Sequence, residues 1–183
     1  RLRCDWSSDV CSSDLVFLTT ADEQRKIQSV VAFDRETGKQ LWNTPVSTGG
    51  FPPKIHNRNT HATATVASDG ERLFVSFFHD DAIELTALTV EGKILWQKPV
   101  GNFTPRLYQY GYAPSPTIYN ALVIVAADYE GGGHLTAFDR QTGVRKWQTP
   151  RPKRLSYSSP IVAHVAGRRS EERRVGKECR SRW

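Results

Sequence analysis

The chain has 183 residues, 38% of them hydrophobic and 24% charged, with a net charge of +6. The apolar share suffices for a packed core. Away from the two ends the charge is scattered, with no basic helix or arginine run, which argues against nucleic acid as a partner, and no apolar run approaches the roughly 20 residues of a membrane-crossing helix.

The first stretch, residues 1–15 (RLRCDWSSDVCSSDL), shares no pattern with the middle of the chain. It and the last stretch, 169–183 (RSEERRVGKECRSRW), resemble the translation of a short-read sequencing adapter: one inverted nucleotide sequence accounts for both Ser12–Leu15 and Arg169–Glu172. Both ends are set aside as a cloning scar would be. All three cysteines (Cys4, Cys11 and Cys179) go with them, so no disulfide or zinc site is read from cysteine. Residues 16–168 then carry the fold, with a net charge of +4. Their lack of cysteine is compatible with an oxidising compartment.

Residues 16–46, a partial first unit, contain AFDRETGKQLW at 32–42, and a near-identical AFDRQTGVRKW returns at 137–147. A looser copy, ALTVEGKILW, lies at 87–96. Trp42, Trp96 and Trp147 are spaced by 54 and 51 residues, each preceded by a glycine four positions earlier (Gly38, Gly92, Gly143). An alanine (Ala32, Ala87, Ala137) stands nine or ten positions before each tryptophan. Three markers in phase identify a repeat, and its period is too long for a helical solenoid. After a loop over 46–61, the second unit spans 61–99, with strands predicted at ATATVAS, RLFVSFF, IELTALT and KILWQKP. A loop over 100–112 leads to the third unit, 113–150, with strands at APSPTIYN, ALVIVAAD, HLTAFD and VRKWQTP. A last loop over 150–157 leads to one further strand within 158–168. Four short antiparallel strands per unit predict an all-β fold: a partial β-propeller of about three blades plus one strand.

The repeated motif has a physical reading. Asp34 and Asp139 end a third strand and can accept hydrogen bonds from the amides of the following turn. The glycine supplies the positive φ of a hairpin with a bulge. The alanine is expected to clear room for a large ring from a neighbouring blade, and the indole N–H to reach a main-chain carbonyl. In the middle copy Thr89 replaces the aspartate and the turn is one residue shorter, which predicts a tighter hairpin.

The motif A-F-D-x-x-T-G-x-x-x-W resembles the tryptophan-docking motif of PQQ-like β-propellers, and YAPSPTIYN and YSSPIVAHVAG resemble that family's first strand. The group includes quinoprotein alcohol dehydrogenases and the propeller lipoprotein of outer-membrane protein assembly. The resemblance implies a closed parent of seven or eight blades and a periplasmic or otherwise extracytoplasmic location. Its dehydrogenase branch implies PQQ and calcium held by acidic and amide residues, often beneath a disulfide. Residues 16–168 cannot supply that disulfide. The expectation is therefore a non-catalytic binding or scaffold module without cofactor. The alternative is a piece of a quinone-dependent dehydrogenase.

The long connections all lead to an innermost strand and are expected to converge on one mouth of the channel. His56, Asn57, Arg58, Asn59 and His61 crowd the first, and Arg106, Tyr108, Tyr110 and Tyr112 alternate in the second. Arg151, Lys153, Arg154 and Tyr157 occupy the third. This predicts a basic, aromatic-lined site for a protein partner or an extended or anionic ligand; the plainer reading is that these residues solvate loops and cover strand ends. His56, His61 and His79 lack carboxylates at zinc-ligand spacing. Asp80, Asp81, Asp128 and Glu130 suit either a calcium site or solvated hairpin tips. Ser158 and Ser159 have no base beside them, so hydrolase chemistry is unsupported. An open arc of blades also leaves unpaired edges, from which self-association is expected.

Overall fold

The computed structural model describes residues 15–57, 59–106, 109–165 and 168–170, with side chains through residue 163. Arg58, Tyr108, the three cysteines and most of both adapter-like ends lie outside the described residues. Three antiparallel sheets follow one another along the chain. The first holds β1 (Leu15–Asp22), β2 (Ile27–Asp34) and β3 (Gln40–Thr48) in that order. The second holds β4 (Ala67–Ser68), β5 (Arg72–His79), β6 (Ala82–Thr89) and β7 (Ile94–Asn102). The third holds β8 (Thr117–Tyr119), β9 (Leu122–Ala127), β10 (His134–Asp139) and β11 (Arg145–Pro150). No helix occurs among the described residues. The chain is a partial β-propeller with stacked blades.

Two element expectations need correction. The strand expected within 158–168 forms only at β12 (Ala163–Val165), which pairs with β13 (Arg168–Ser170) in a separate two-stranded hairpin. A strand's backbone groups need partners, and Arg168–Ser170 is the segment that supplies them. The innermost strands are also far shorter than predicted: β4 has two residues and β8 three. Their backbone is engaged elsewhere. Thr19 Oγ1 of the first blade lies 2.9 Å from the carbonyl oxygens of both Ala62 and Ala64, which share its one proton. The Thr65 amide donates to Ser115 Oγ on the third blade, and the Ser115 amide to Ser159 Oγ, both at 2.8 Å. Hydroxyls thus stitch blade to blade where a ladder was expected.

The core lies between the blades. One face of the second blade packs Leu73, Val75, Phe77 and Leu88 against Val30 and Trp42 of the first. Its other face packs Phe74, Leu85 and Ala87 against Val123, Val125 and Phe138 of the third. Central strands buried on both faces must be almost wholly apolar, as β5 and β9 are.

The turn of the motif forms as the residues dictate. Asp34 Oδ1 accepts from the Thr37 amide and hydroxyl, each at 2.7 Å. Asp139 Oδ1 accepts from the Gln141 amide and from the Thr142 amide and hydroxyl, each at 3.0 Å. Gly38, Gly92 and Gly143 take φ of 67°, 88° and 69°, and each β-ladder shifts register just after its alanine. The middle turn is tighter: the Gly92 amide donates to Thr89 three residues back, whereas Gly38 and Gly143 reach four residues back to Asp34 and Asp139.

The alanines work differently from expectation. Ala32 stands between Phe17 and Trp42 in one row across the sheet, and Ala87 between Phe74 and Trp96. Strands two apart lie about 9–10 Å from each other. With only a methyl group between them the flanking rings meet, at centroid distances of 5.9 and 6.0 Å. The alanine clears room for rings of its own sheet. Each indole then reaches the next blade: Trp42 Nε1 donates to the Val90 carbonyl at 3.2 Å and Trp96 Nε1 to the Gln141 carbonyl at 3.1 Å. A Cβ on Gly92 would lie 2.8 Å from the Trp42 ring, and one on Gly143 2.7 Å from the Trp96 ring. These two glycines are needed for close approach as well as for φ.

Candidate functional site

The loops start later than predicted, because β3 and β7 run on to Thr48 and Asn102. Three loops still meet at one end of the molecule. Asn59 of the first donates through Nδ2 to the Tyr110 carbonyl of the second. Its Oδ1 accepts from the Thr60 amide at 2.9 Å and the Thr63 hydroxyl at 2.5 Å, so every polar atom of the amide is used to fix the loop. The His56 ring meets Tyr110 edge-on at 5.1 Å, and Tyr110 stacks on Tyr157 of the third loop at 6.1 Å. The result is a line of three rings, His56–Tyr110–Tyr157, drawn from three connections. The Tyr157 hydroxyl is buried and has no hydrogen-bond partner among the described residues. Burial first, then the neighbouring Tyr110 and Glu130, push its pKa up to about 12, so it stays a donor throughout the neutral range.

The other predicted site residues divide. Arg106 and Arg154 are exposed, and the Arg106 main-chain N–H donates to Glu130 Oε1. Arg151 is not available as an anion receptor: its Nε and Nη2 hold Asp128 Oδ1 and Oδ2, each at 3.1 Å. The pair is nearly enclosed, at 19% and 5% side-chain exposure. A charge removed from water needs such a partner. Sequence reasoning missed this pairing, although an acidic residue closing the apolar run ALVIVAAD was the available signal. Tyr112 is a core residue and does not share a side with Tyr110. It is 5% exposed, packs against Phe103 and donates to the Ala126 carbonyl at 2.9 Å. The alternation expected over 106–112 breaks because Gly111, at φ 89°, turns the chain between them. His61 lies away from the line of rings, stacked on Phe51 at 4.2 Å, and burial lowers its pKa. Tyr108 is outside the described residues.

The metal candidates are likewise placed. Asp80 and Asp81 both have positive φ, 47° and 56°, in the tight turn between β5 and β6. His79 beside them pairs with Glu84 Oε2 at 3.0 Å, a bond that raises its pKa. Among the described residues no three histidine, cysteine or acidic side chains are grouped to hold a metal ion.

The family model described as outer membrane protein assembly factor BamB matches residues 26–171. The chain belongs to this PQQ-like repeat family. A search of curated proteins finds no match. Among solved structures the chain is similar to a europium-containing methanol dehydrogenase, with a TM-score of 0.50 and 18% identity over 75% of this chain and 23% of that one. The chain thus spans under a quarter of that dehydrogenase, and the likeness is one of fold. No helix among the described residues is long and apolar enough to cross a membrane.

A calcium-bound quinone, implied by the dehydrogenase branch, would need free carboxylate and amide oxygens around one point. The acidic and amide residues gathered at the loop end do not offer them. Arg151 occupies both oxygens of Asp128, the Arg106 amide takes one of Glu130, and the Asn59 amide bonds Tyr110 of the second loop and Thr63 of its own. No reaction step through such a group follows from this end of the chain.

Proposed function

We propose that the chain is a non-catalytic binding module of envelope protein assembly, acting outside the cytoplasm. Its loop end takes an extended acidic segment of a partner protein. The observation that carries this reading is the convergence of three loops on His56, Tyr110 and Tyr157. Tyr110 is 43% exposed, and Arg106, Lys153 and Arg154 stand exposed on the second and third loops. Aromatic faces offer rigid contact area to an extended chain, and arginines bind its carboxylates in planar pairs. Tyr157 stacks behind Tyr110 and holds that exposed ring in place. The description of the matching family supports an assembly role, and the fold likeness to a dehydrogenase supplies no catalytic residue to set against it.

The test is fluorescence anisotropy with a labelled peptide of alternating glutamate and phenylalanine. Binding should be salt-sensitive and weaken about tenfold in Tyr110→Ala and in Arg154→Glu, the loss expected when one well-placed contact goes. A peptide that fails to bind, or that binds both variants as it binds the unaltered chain, overturns the proposal. So does a stoichiometric calorimetric response to PQQ with calcium, which would return the chain to the dehydrogenase reading.

A further inference from the structure

The turn between β5 and β6 holds two of the three loops that form the site. The Asp80 amide donates to the Gly50 carbonyl of the first loop at 2.7 Å, and the Asp81 carbonyl accepts from the Phe103 amide of the second at 2.8 Å. The first loop lies flat on the turn: a Cβ on Gly50 would stand 2.4 Å from the Asp80 carboxylate carbon. Phe51, next along, stacks on His61, so the loop that carries His56 is clasped at its neck beside this contact. Gln28 fixes the same neck from the first blade, donating to the carbonyls of His61 at 2.6 Å and Phe78 at 3.2 Å. Phe103 is buried against Phe78 and opens the second loop, which carries Tyr110.

The turn that makes these contacts is strained. Asp80 and Asp81 both hold the left-handed backbone, at φ 47° and 56°, which residues with a Cβ adopt at a cost. One side chain braces it. Leu73, Val75 and Phe77 face the first blade, and His79 continues that alternation, with Glu84 placed opposite Phe77 by register. The His79 ring lies between two carboxylates, Nε2 at 3.0 Å from Glu84 and Nδ1 at 3.4 Å from Asp80, and its side chain is 18% exposed. A neutral imidazole has one N–H and can donate to one of them; the imidazolium donates to both. The bond to Glu84 first, and then that to Asp80, raise the pKa against the effect of burial. Other charges near this end have separate engagements. Asp81 lies in the same turn, and on the first-blade side Lys26 gives its main-chain carbonyl to the Gly49 amide, Arg25 pairs with Asp22, and Glu23 acts on His61. Gly101 and Asn102, which end β7 beside the turn, are uncharged, and His134 of the third blade reaches the Val100 carbonyl.

We propose that His79 is a pH-operated latch for the loop end. As the imidazolium it ties Asp80 to Glu84, fixes the turn and holds the first and second loops in place; when it loses its proton, the turn and both loops loosen. The stabilisation is complete below the ordinary histidine value near 6.5 and is lost as pH rises through the higher folded value. His61 acts in another window: burial lowers its pKa, so its protonation works against the neck only as pH falls below the ordinary value. At the peptide site, on the function proposed above, the latch makes binding stronger near neutral than at alkaline pH.

Amide hydrogen exchange on the full chain, corrected for its intrinsic pH dependence, tests the latch without any peptide. From about pH 6.5, the ordinary histidine value, to about pH 8.5, protection at Asp80 and Phe103 should fall about tenfold, the loss of roughly one charge-assisted hydrogen bond. His79→Gln can still donate to one carboxylate but does not titrate, so its protection should be low and level across that range. His61→Gln should keep the fall. No fall in the unaltered chain, or a fall that persists in His79→Gln, would overturn the latch. Anisotropy with the glutamate–phenylalanine peptide should weaken over the same range in the unaltered chain and stay level in His79→Gln. Binding that is unchanged while exchange quickens would overturn the control of the site. A peptide that binds at neither pH sinks the peptide reading alone, and the exchange result still decides the latch.

Discussion

The Asp139 carboxylate accepts three hydrogen bonds from its own turn, and this shows in its acidity. The backbone amide of Thr142 is the main cause, assisted by the Thr142 hydroxyl, the Gln141 amide and Lys146, and the pKa is held at about 2. Asp34 is shifted in the same direction, first by the Thr37 hydroxyl and then by the Thr37 and Glu36 amides. A depressed carboxylate stabilises the folded state above its unfolded pKa, near 3.9, and that contribution is lost as pH falls through the folded value. Carboxyl chemical shifts followed through an acid titration should place the Asp139 midpoint near 2. Thr142→Ala should raise it only part of the way, because the amide bonds remain. A midpoint near 4 in the folded chain would show that the turn does not hold the charged form. The preference of this position for aspartate was legible in the sequence. The role of the alanine nine or ten residues before each tryptophan was not, because it depends on which two side chains flank it in the row, and that is fixed only by strand register.

Among elements, the hairpins joining the third and fourth strands were the most legible and the innermost strands the least. The hairpins are set by local chemistry: an aspartate or threonine, a glycine at positive φ, a bulge. The innermost segments are set by side chains over 40 residues away, such as Thr19 acting on Ala62 and Ala64, and no local pattern reports them. The hairpin glycines allow a comparison within one chain. An alanine at Gly38 meets only the cost of the left-handed backbone, about 1 kcal/mol, because nothing lies near its Cβ. At Gly92 the same Cβ would strike the Trp42 ring at 2.8 Å, and at Gly143 the Trp96 ring at 2.7 Å. Displacing those rings adds an overpacking cost of about 1–3 kcal/mol. Urea denaturation should therefore rank Gly92→Ala and Gly143→Ala well below Gly38→Ala. Equal losses at all three would mean that the rings are not seated on the glycines.

At the scale of the whole molecule, blade order and count were legible from three tryptophans, but the means by which blades hold together near the centre was not. The loop convergence was expected from connectivity alone. Which residues share the site was not, since a buried ion pair claims Arg151 and the core claims Tyr112. The same non-local bonding makes a prediction about cooperativity. Thr65 and Ser115 lie outside regular strands, yet their amides are bonded across blade boundaries, to Ser115 Oγ and Ser159 Oγ. Protection from exchange follows the free energy of opening the bond, not the strand assignment. Both amides should exchange as slowly as those of the short inner strands β4 and β8. Ser115→Ala should speed exchange at Thr65 about tenfold, the loss of roughly one hydrogen bond, and leave the amide of residue 115 protected. Ser159→Ala should release Ser115 instead and spare Thr65. If either substitution frees both amides together, the blades open as one unit and the hydroxyl bonds are not what joins them. If neither amide is protected at the outset, the stitching is absent in solution and the blades are held by their apolar faces alone.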